Sequence, residues 1–334
     1  MRRLKASAAA LGAAALACSV AQGAVTLDLG LEGCVPAADT LMRNGFETAP
    51  PTDPSLGSGG GTGNTSVFVS LAGWPLSEVY VHVPPGYVPG RALPVVLALH
   101  GASGSHDLAV QATAQLRGEW GALADQYGFI VVAPVGVGSL GSWFQQTSPG
   151  DHPSDYDVFA AALAQVEASW NVERTRVYGW GFSSGGHVMH DLAVQGFQPT
   201  LDAEHLAAYG VDAGVLQALA CTGLTPAQCG SSKLAPMPRR VPVAIEVGKS
   251  DSLLSYARND RLQLLAHGWV DGESFFYREF TGGHQYSSTE LADIWKHICR
   301  VAVSSEPGVA ARASTAARTH RTMASSRGKR SRNR

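Results

Sequence analysis

Arg176-Val177-Tyr178-Gly179-Trp180 runs without a break into Gly181-Phe182-Ser183-Ser184-Gly185-Gly186. The first five residues read as a short buried strand, and an apolar, helix-compatible run follows Gly186. Between them lies a serine flanked by glycines two positions away on each side. A side chain at position 181 or 185 would clash inside a sharp strand-to-helix turn, so glycine there is a steric requirement. Such a turn lifts the Ser183 hydroxyl above the edge of a sheet. It also sets it against a helix N-terminus, with its free N–H groups and positive dipole end.

Outward from this turn the chain alternates strand and helix. Ser77–Val83 alternates Val79, Val81 and Val83 with Tyr80 and His82, and Pro84-Pro85-Gly86 ends it. Leu93–Leu99 is a nearly unbroken apolar run, as expected of a strand covered on both faces. Residues 129–133 and 241–247 read the same way, with helical stretches near 107–127 and 155–170 and a closing helix over 291–300. The order predicts an α/β fold of the α/β-hydrolase type, with a mostly parallel central sheet and helices on both faces.

On such a scaffold the acid and the histidine follow the serine in the chain. Asp251 comes after the 241–247 strand through Gly248-Lys249-Ser250, at the same sheet edge as Ser183. Asp260 is the fallback, on the exposed side of the segment that follows, and Asp212 a weaker one. His284 lies in the glycine-flanked Thr281-Gly282-Gly283-His284, a loop able to bring an imidazole to the serine. The expected catalytic set is therefore Ser183, His284 and Asp251. A serine hydroxyl is a poor nucleophile near neutral pH and needs the imidazole as a base, and the carboxylate orients that imidazole. The loop His100-Gly101-Ala102-Ser103-Gly104 follows the 93–99 strand, so the Ala102 and Ser184 backbone N–H groups are the expected oxyanion donors.

His100 reads as a histidine that holds its loop, and His187, His190, His267 and His297 as packing residues. Trp143 and Phe144 fall in a loop after the 129–133 strand on the catalytic edge. They are candidates to line an acyl or aromatic substrate pocket, the other reading being ordinary loop packing.

Val83-Pro84-Pro85-Gly86-Tyr87, Leu99-His100-Gly101, Trp143-Phe144 and Arg176-Val177-Tyr178 leading into Gly181–Gly186 occur in the order and spacing of one family. Over about 77–300 the chain resembles the secreted polyhydroxybutyrate depolymerases and feruloyl or acetylxylan esterases. The resemblance implies a serine carboxylic ester hydrolase acting through an acyl-enzyme on polyhydroxyalkanoate or on hydroxycinnamoyl or acetyl polysaccharide esters. Three residues depart from the family pattern: Trp180 before the turn, Ser184 where asparagine is frequent, and Ala102 where cysteine is frequent. A serine peptidase on the same fold and a non-catalytic binding module are the competing readings.

The remaining features bound the cell biology. Arg2, Arg3 and Lys5, an apolar run over 8–17 and the small residues up to position 23 predict a signal peptide over 1–23. Export to a secreted or periplasmic location follows. Residues 24–66 read as an N-terminal segment ending in a Gly/Ser/Pro-rich linker, 67–303 as the catalytic domain and 304–334 as a disordered basic tail. With both basic ends set aside the body carries about −12, which argues against nucleic acid as a partner. No further stretch is apolar enough for an integral membrane segment after leader cleavage. An ester substrate, polymeric or small, is the expected partner. No cofactor and no metal are expected, since no Cys/His spacing fits a zinc site. Cys18 falls in the leader, and Cys221 and Cys229 are close enough in sequence to predict a disulfide in an oxidising compartment; the pairing of Cys34 and Cys299 is left open.

Overall fold

A computed structural model describes residues 24–29, 34 and 52–304. The expected leader and all but the first residue of the expected tail lie outside these residues.

Among the described residues ten strands and six α-helices follow one another as β1 (Val25–Asp28), β2 (Gly63–Val69), β3 (Ser77–Val83), β4 (Leu93–Leu99), α1 (His106–Tyr127), β5 (Ile130–Pro134), α2 (Asp155–Ser169), β6 (Val172–Phe182), α3 (Ser184–Gln195), β7 (Ala208–Asp212), α4 (Pro226–Cys229), β8 (Val243–Gly248), α5 (Leu254–Ala266), β9 (Phe275–Phe280), α6 (Ser288–Ile298) and β10 (Val301–Ser304). Eight of the strands form one sheet in the order β2-β3-β5-β4-β6-β7-β8-β9. Pairing is parallel from β5 through β9, and β3 runs antiparallel to both its neighbours.

The alternation of Cβ directions along β4 explains its unbroken apolar run. Val95, Leu97 and Leu99 pack into one core with Phe159 and Val188 of α2 and α3. Val96 and Ala98 pack into a second core with Leu116 and Trp120 of α1 and Ile294 and Trp295 of α6. Both sheet faces are therefore dry, and no position in β4 meets water. The two long helices after β4 and β5 begin at capping serines: Ser105 accepts from Leu108 N–H at α1, and Ser154 and Asp157 form a reciprocal capping box at α2.

The structure corrects three boundaries. The sheet begins at Gly63, inside the stretch read as linker, because β2 pairs with β3 along its whole length. The residues before it are also fastened: Ser55 Oγ–H donates to Glu167 O, Leu56 N–H to Asn171 Oδ1 and Trp170 Nε1–H to Gly61 O. Small residues suit a strap lying against a tryptophan as well as they suit a free linker, and composition does not separate the two. The closing helix stops at Ile298, and the chain continues into β10, which includes Ser304 and pairs antiparallel with β1. Cys34 and Cys299 form a disulfide beside this pair, and Cys221 pairs with Cys229 as expected.

Candidate active site

The turn after β6 holds Ser183 at φ 52° and ψ −115°, a conformation that costs a residue with a Cβ on the order of 1–3 kcal/mol. Packing enforces it. A Cβ on Gly181 would lie 2.2 Å from the Gly185 carbonyl carbon, and one on Gly185 would lie 2.3 Å from Leu99 O. The steric requirement read from the sequence is thus met by two backbones in contact, those of the turn and of the end of β4.

His284 reaches Ser183 from the loop between β9 and α6. Its Nε2 lies 2.8 Å from Ser183 Oγ and its Nδ1 2.9 Å from Asp251 Oδ2. An ionised carboxylate only accepts, so Nδ1 carries the proton and Nε2 is left to accept from the serine hydroxyl. Asp251 itself is fixed, because its Oδ1 accepts from Leu253 N–H at 2.8 Å. Its side chain is fully buried, whereas that of His284 is 40% exposed. One face of the imidazole rests against Phe182, with ring centroids 5.0 Å apart. Tyr286, two residues beyond His284, packs on Phe182 and Trp180, and its hydroxyl donates to Glu119 of α1. The histidine loop is thereby anchored to α1, in the core that α1 and α6 share on one face of the sheet.

Ser184 opens α3, so its N–H has no partner within the helix. The loop bearing Ala102 lies directly alongside: a Cβ on Gly101 would stand 3.2 Å from Ser183 Cβ.

No family model matches the chain. Over 183 residues it is 27% identical to a bifunctional acetylxylan esterase/xylanase of Neocallimastix patriciarum, a match covering 54% of this chain and 22% of that protein. The chain therefore spans about a fifth of that relative's length. Among solved structures, it superposes on a ferulic acid esterase with a TM-score of 0.51 at 14% identity, covering 72% of this chain and 99% of the other. The feruloyl esterase module of Clostridium thermocellum, complexed with sinapinate, gives 0.51 at 15% identity over 77% and 95%. Esterase 2 of Thermogutta terrifontis gives 0.51 at 17% over 69% and 92%. The fold is that of the α/β hydrolases.

Within the α/β-hydrolase frame the remaining sequence candidates take other places. Asp260 is not exposed, as its position in the sequence suggested. It lies on the inner face of α5, its Oδ2 accepts from Leu216 N–H at 2.9 Å, and burial pushes its carboxyl up to about 7. Asp212 is buried at the end of β7 and accepts from Trp180 Nε1–H at 2.8 Å. Trp143 is buried rather than presented to a ligand. Its Nε1–H donates to His100 O at 2.9 Å, and its ring packs over the His100 imidazole. These contacts are those of a packed loop residue, the second of the two readings open to it. Phe144 is 51% exposed and makes an edge contact with Trp74.

His100 holds its loop: Nδ1–H donates to Gly101 O, and Nε2 accepts from Gly136 N–H. His187 Nδ1 accepts from Val215 N–H, and burial, helped by the nearby His284, pushes its imidazole down to about 4. His190 is fully buried against the Tyr209 hydroxyl. His267 bonds Gln263 O and His297 stacks on Phe276.

Sequence reasoning missed two side chains, Ser142 and Asp155. Ser142 Oγ is hydrogen-bonded to Ser184 Oγ. Asp155 Oδ2 accepts from the N–H groups of Phe144 and Val137 and so holds the 137–144 loop. A serine in a Gly-Ser-rich turn and an acid in a helix's first turn are both commonplace, and neither carries a distinguishing signal.

Proposed function

We propose that the protein is a serine carboxylic ester hydrolase working through an acyl-enzyme. The observation that carries this reading is the unbroken chain from Ser183 Oγ to His284 Nε2, and from His284 Nδ1 to Asp251, on a strained turn at the C-terminal edge of a parallel sheet. In the reaction Ser183 Oγ attacks the ester carbonyl carbon while its proton passes to His284 Nε2. Asp251 stabilises the imidazolium so formed. The negative charge that develops on the carbonyl oxygen is received by the Ala102 and Ser184 N–H groups, each worth about 2.7–4 kcal/mol at such a position. Collapse expels the alcohol, which takes the proton from His284. Water, deprotonated by the same imidazole, then releases the acid and restores Ser183.

The substrates best supported are acetyl or hydroxycinnamoyl esters of polysaccharides, in line with the activities that name the relative and the superposed esterases; polyhydroxyalkanoate is the other polymer to assay. Leu108, Leu140 and Phe144 are exposed around the Ala102 loop, which suits an apolar acyl group on the oxyanion side. Two disulfides suit a protein that acts outside the cytoplasm, after export through the leader.

The test is a panel of acetyl, feruloyl and hydroxyalkanoyl esters together with peptide substrates, run alongside labelling by a fluorophosphonate. Ester turnover and covalent labelling, both lost in Ser183→Ala, are the expected results. Peptide cleavage without ester turnover would make the protein a peptidase, and a chain that neither turns over an ester nor takes the label would be a binding module.

A further inference from the structure

The two oxyanion donors assigned above sit on different elements, Ala102 in the loop after β4 and Ser184 at the start of α3. A third segment, residues 138–144, touches both. On one side Ser103 N–H donates to Gly141 O at 3.1 Å, Gly104 N–H donates to Leu140 O at 2.8 Å and Trp143 Nε1–H donates to His100 O at 2.9 Å. On the other side Ser142 Oγ is bonded to Ser184 Oγ. The segment is tightly shaped between these attachments. Leu140 and Gly141 are consecutive left-handed residues at φ 56° and 59°, and a Cβ on Gly141 would fall 2.2 Å from Ser105 O. A leucine is disfavoured in that conformation. With its side chain 70% exposed, burial does not explain why it is held there; the hydrogen bonds on either side do.

We propose that residues 138–144 are a brace that sets the spacing and aim of the two oxyanion donors, with Ser142 as a positioning residue acting through Ser184. This rests on the serine-hydrolase reading. Donors contribute only when aimed at the place where the oxyanion forms, and a site loses much of its effect when displaced by about 0.5 Å. The bond between the two hydroxyls restrains the Ser184 side chain and with it the first turn of α3. Releasing it leaves the Ser184 N–H in place on average but no longer held. The loss is felt in the transition state and not in the binding of the ester.

The experiment compares wild type, Ser142→Ala, Ser142→Thr, Ser184→Ala and the Ser142→Ala/Ser184→Ala double variant on one chromogenic ester. Ser142→Ala should lower kcat about ten- to a hundredfold, less than the loss of a whole donor, while KM stays within about twofold. The rate of fluorophosphonate labelling should fall by the same factor, since the phosphonyl oxygen uses the same N–H pair. Ser142→Thr, which keeps the hydroxyl, should recover most of the rate. The double variant should be no slower than Ser184→Ala alone, because both remove one bond. Wild-type kcat in Ser142→Ala, or losses that multiply in the double variant, overturns the brace. If Ser142→Ala melts early, the Thr variant and Ser184→Ala decide by the same criteria. A wild-type protein that neither hydrolyses esters nor takes the label overturns both proposals, whereas a dead Ser183→Ala beside an unimpaired Ser142→Ala overturns this one alone.

Discussion

Asp251 and His284 are 33 residues apart in the chain and 2.9 Å apart in space, and the second carboxylate oxygen of Asp251 is bound to the Leu253 N–H. The carboxylate is thus oriented by its own backbone before it orients the imidazole. Asp260, nine residues later, does the same kind of work for a different partner, the N–H of Leu216.

These two acids should therefore separate activity from stability. Asp251→Asn should lower kcat by about 10⁴, because an amide can hold the wrong imidazole tautomer while keeping the shape, with little change in melting temperature. Asp260→Ala should leave kcat near wild type and cost about 1–3 kcal/mol, since a buried N–H loses its acceptor. Ester turnover and thermal melts on both variants check this. A crippled Asp260→Ala with an active Asp251→Asn would place the acid wrongly.

Ser183 is held at a φ that favours glycine. Ser183→Gly should be inactive yet at least as stable as wild type, gaining on the order of 1 kcal/mol from relief of the strain. Ser183→Ala keeps the Cβ and should gain less. Denaturant melts of the two variants measure the difference, and equal stability would show that the turn is not strained.

His100 accepts a hydrogen bond from Gly136 N–H, so it must be neutral, and burial pushes its imidazole down to about 4. The folded-state value is depressed, so the unfolded chain binds the proton first as pH falls. The stability this histidine contributes is complete above the unfolded value of about 6.5 and is lost as pH drops through about 4. The advantage of wild type over His100→Gln should therefore shrink by on the order of 3 kcal/mol between pH 7 and pH 4. Denaturant melts across that range test it, and parallel stability curves would contradict it.

The disulfides should differ in worth. Cys221–Cys229 spans 8 residues and Cys34–Cys299 spans 265. Loop-closure entropy puts them at about 2.5 and about 5.6 kcal/mol. Cys299→Ser should lower the melting temperature more than Cys229→Ser, and both variants should keep their ester turnover. The reverse order of melting temperatures would mean that the β1–β10 pair holds without its covalent tie.

Much of the architecture is carried by local chemistry that a linear reading can see. β3 and β4 appear with their observed ends because valines alternate in one and run unbroken in the other. The turn around Ser183 is visible because the crowded backbone at positions 181 and 185 accepts only glycine, and Ser183, Asp251 and His284 come in the chain order expected of such a scaffold. β1, β7 and β9 are not visible: strands of four to six residues, with Gly210 or Arg278 inside them, carry too little pattern and depend on their neighbours for pairing. The same dependence governs the site. Tertiary structure decides that Asp260 faces inward, that Trp143 is packed and Phe144 exposed, that Cys34 meets Cys299, and that Ser142 reaches Ser184 across 42 residues of chain. The sequence specifies which groups exist and which strand each follows, because backbone sterics and periodicity act over a few residues. Which groups touch is settled only when helices close over both faces of the sheet, because burial and hydrogen bonding act across distances that the order of residues does not encode.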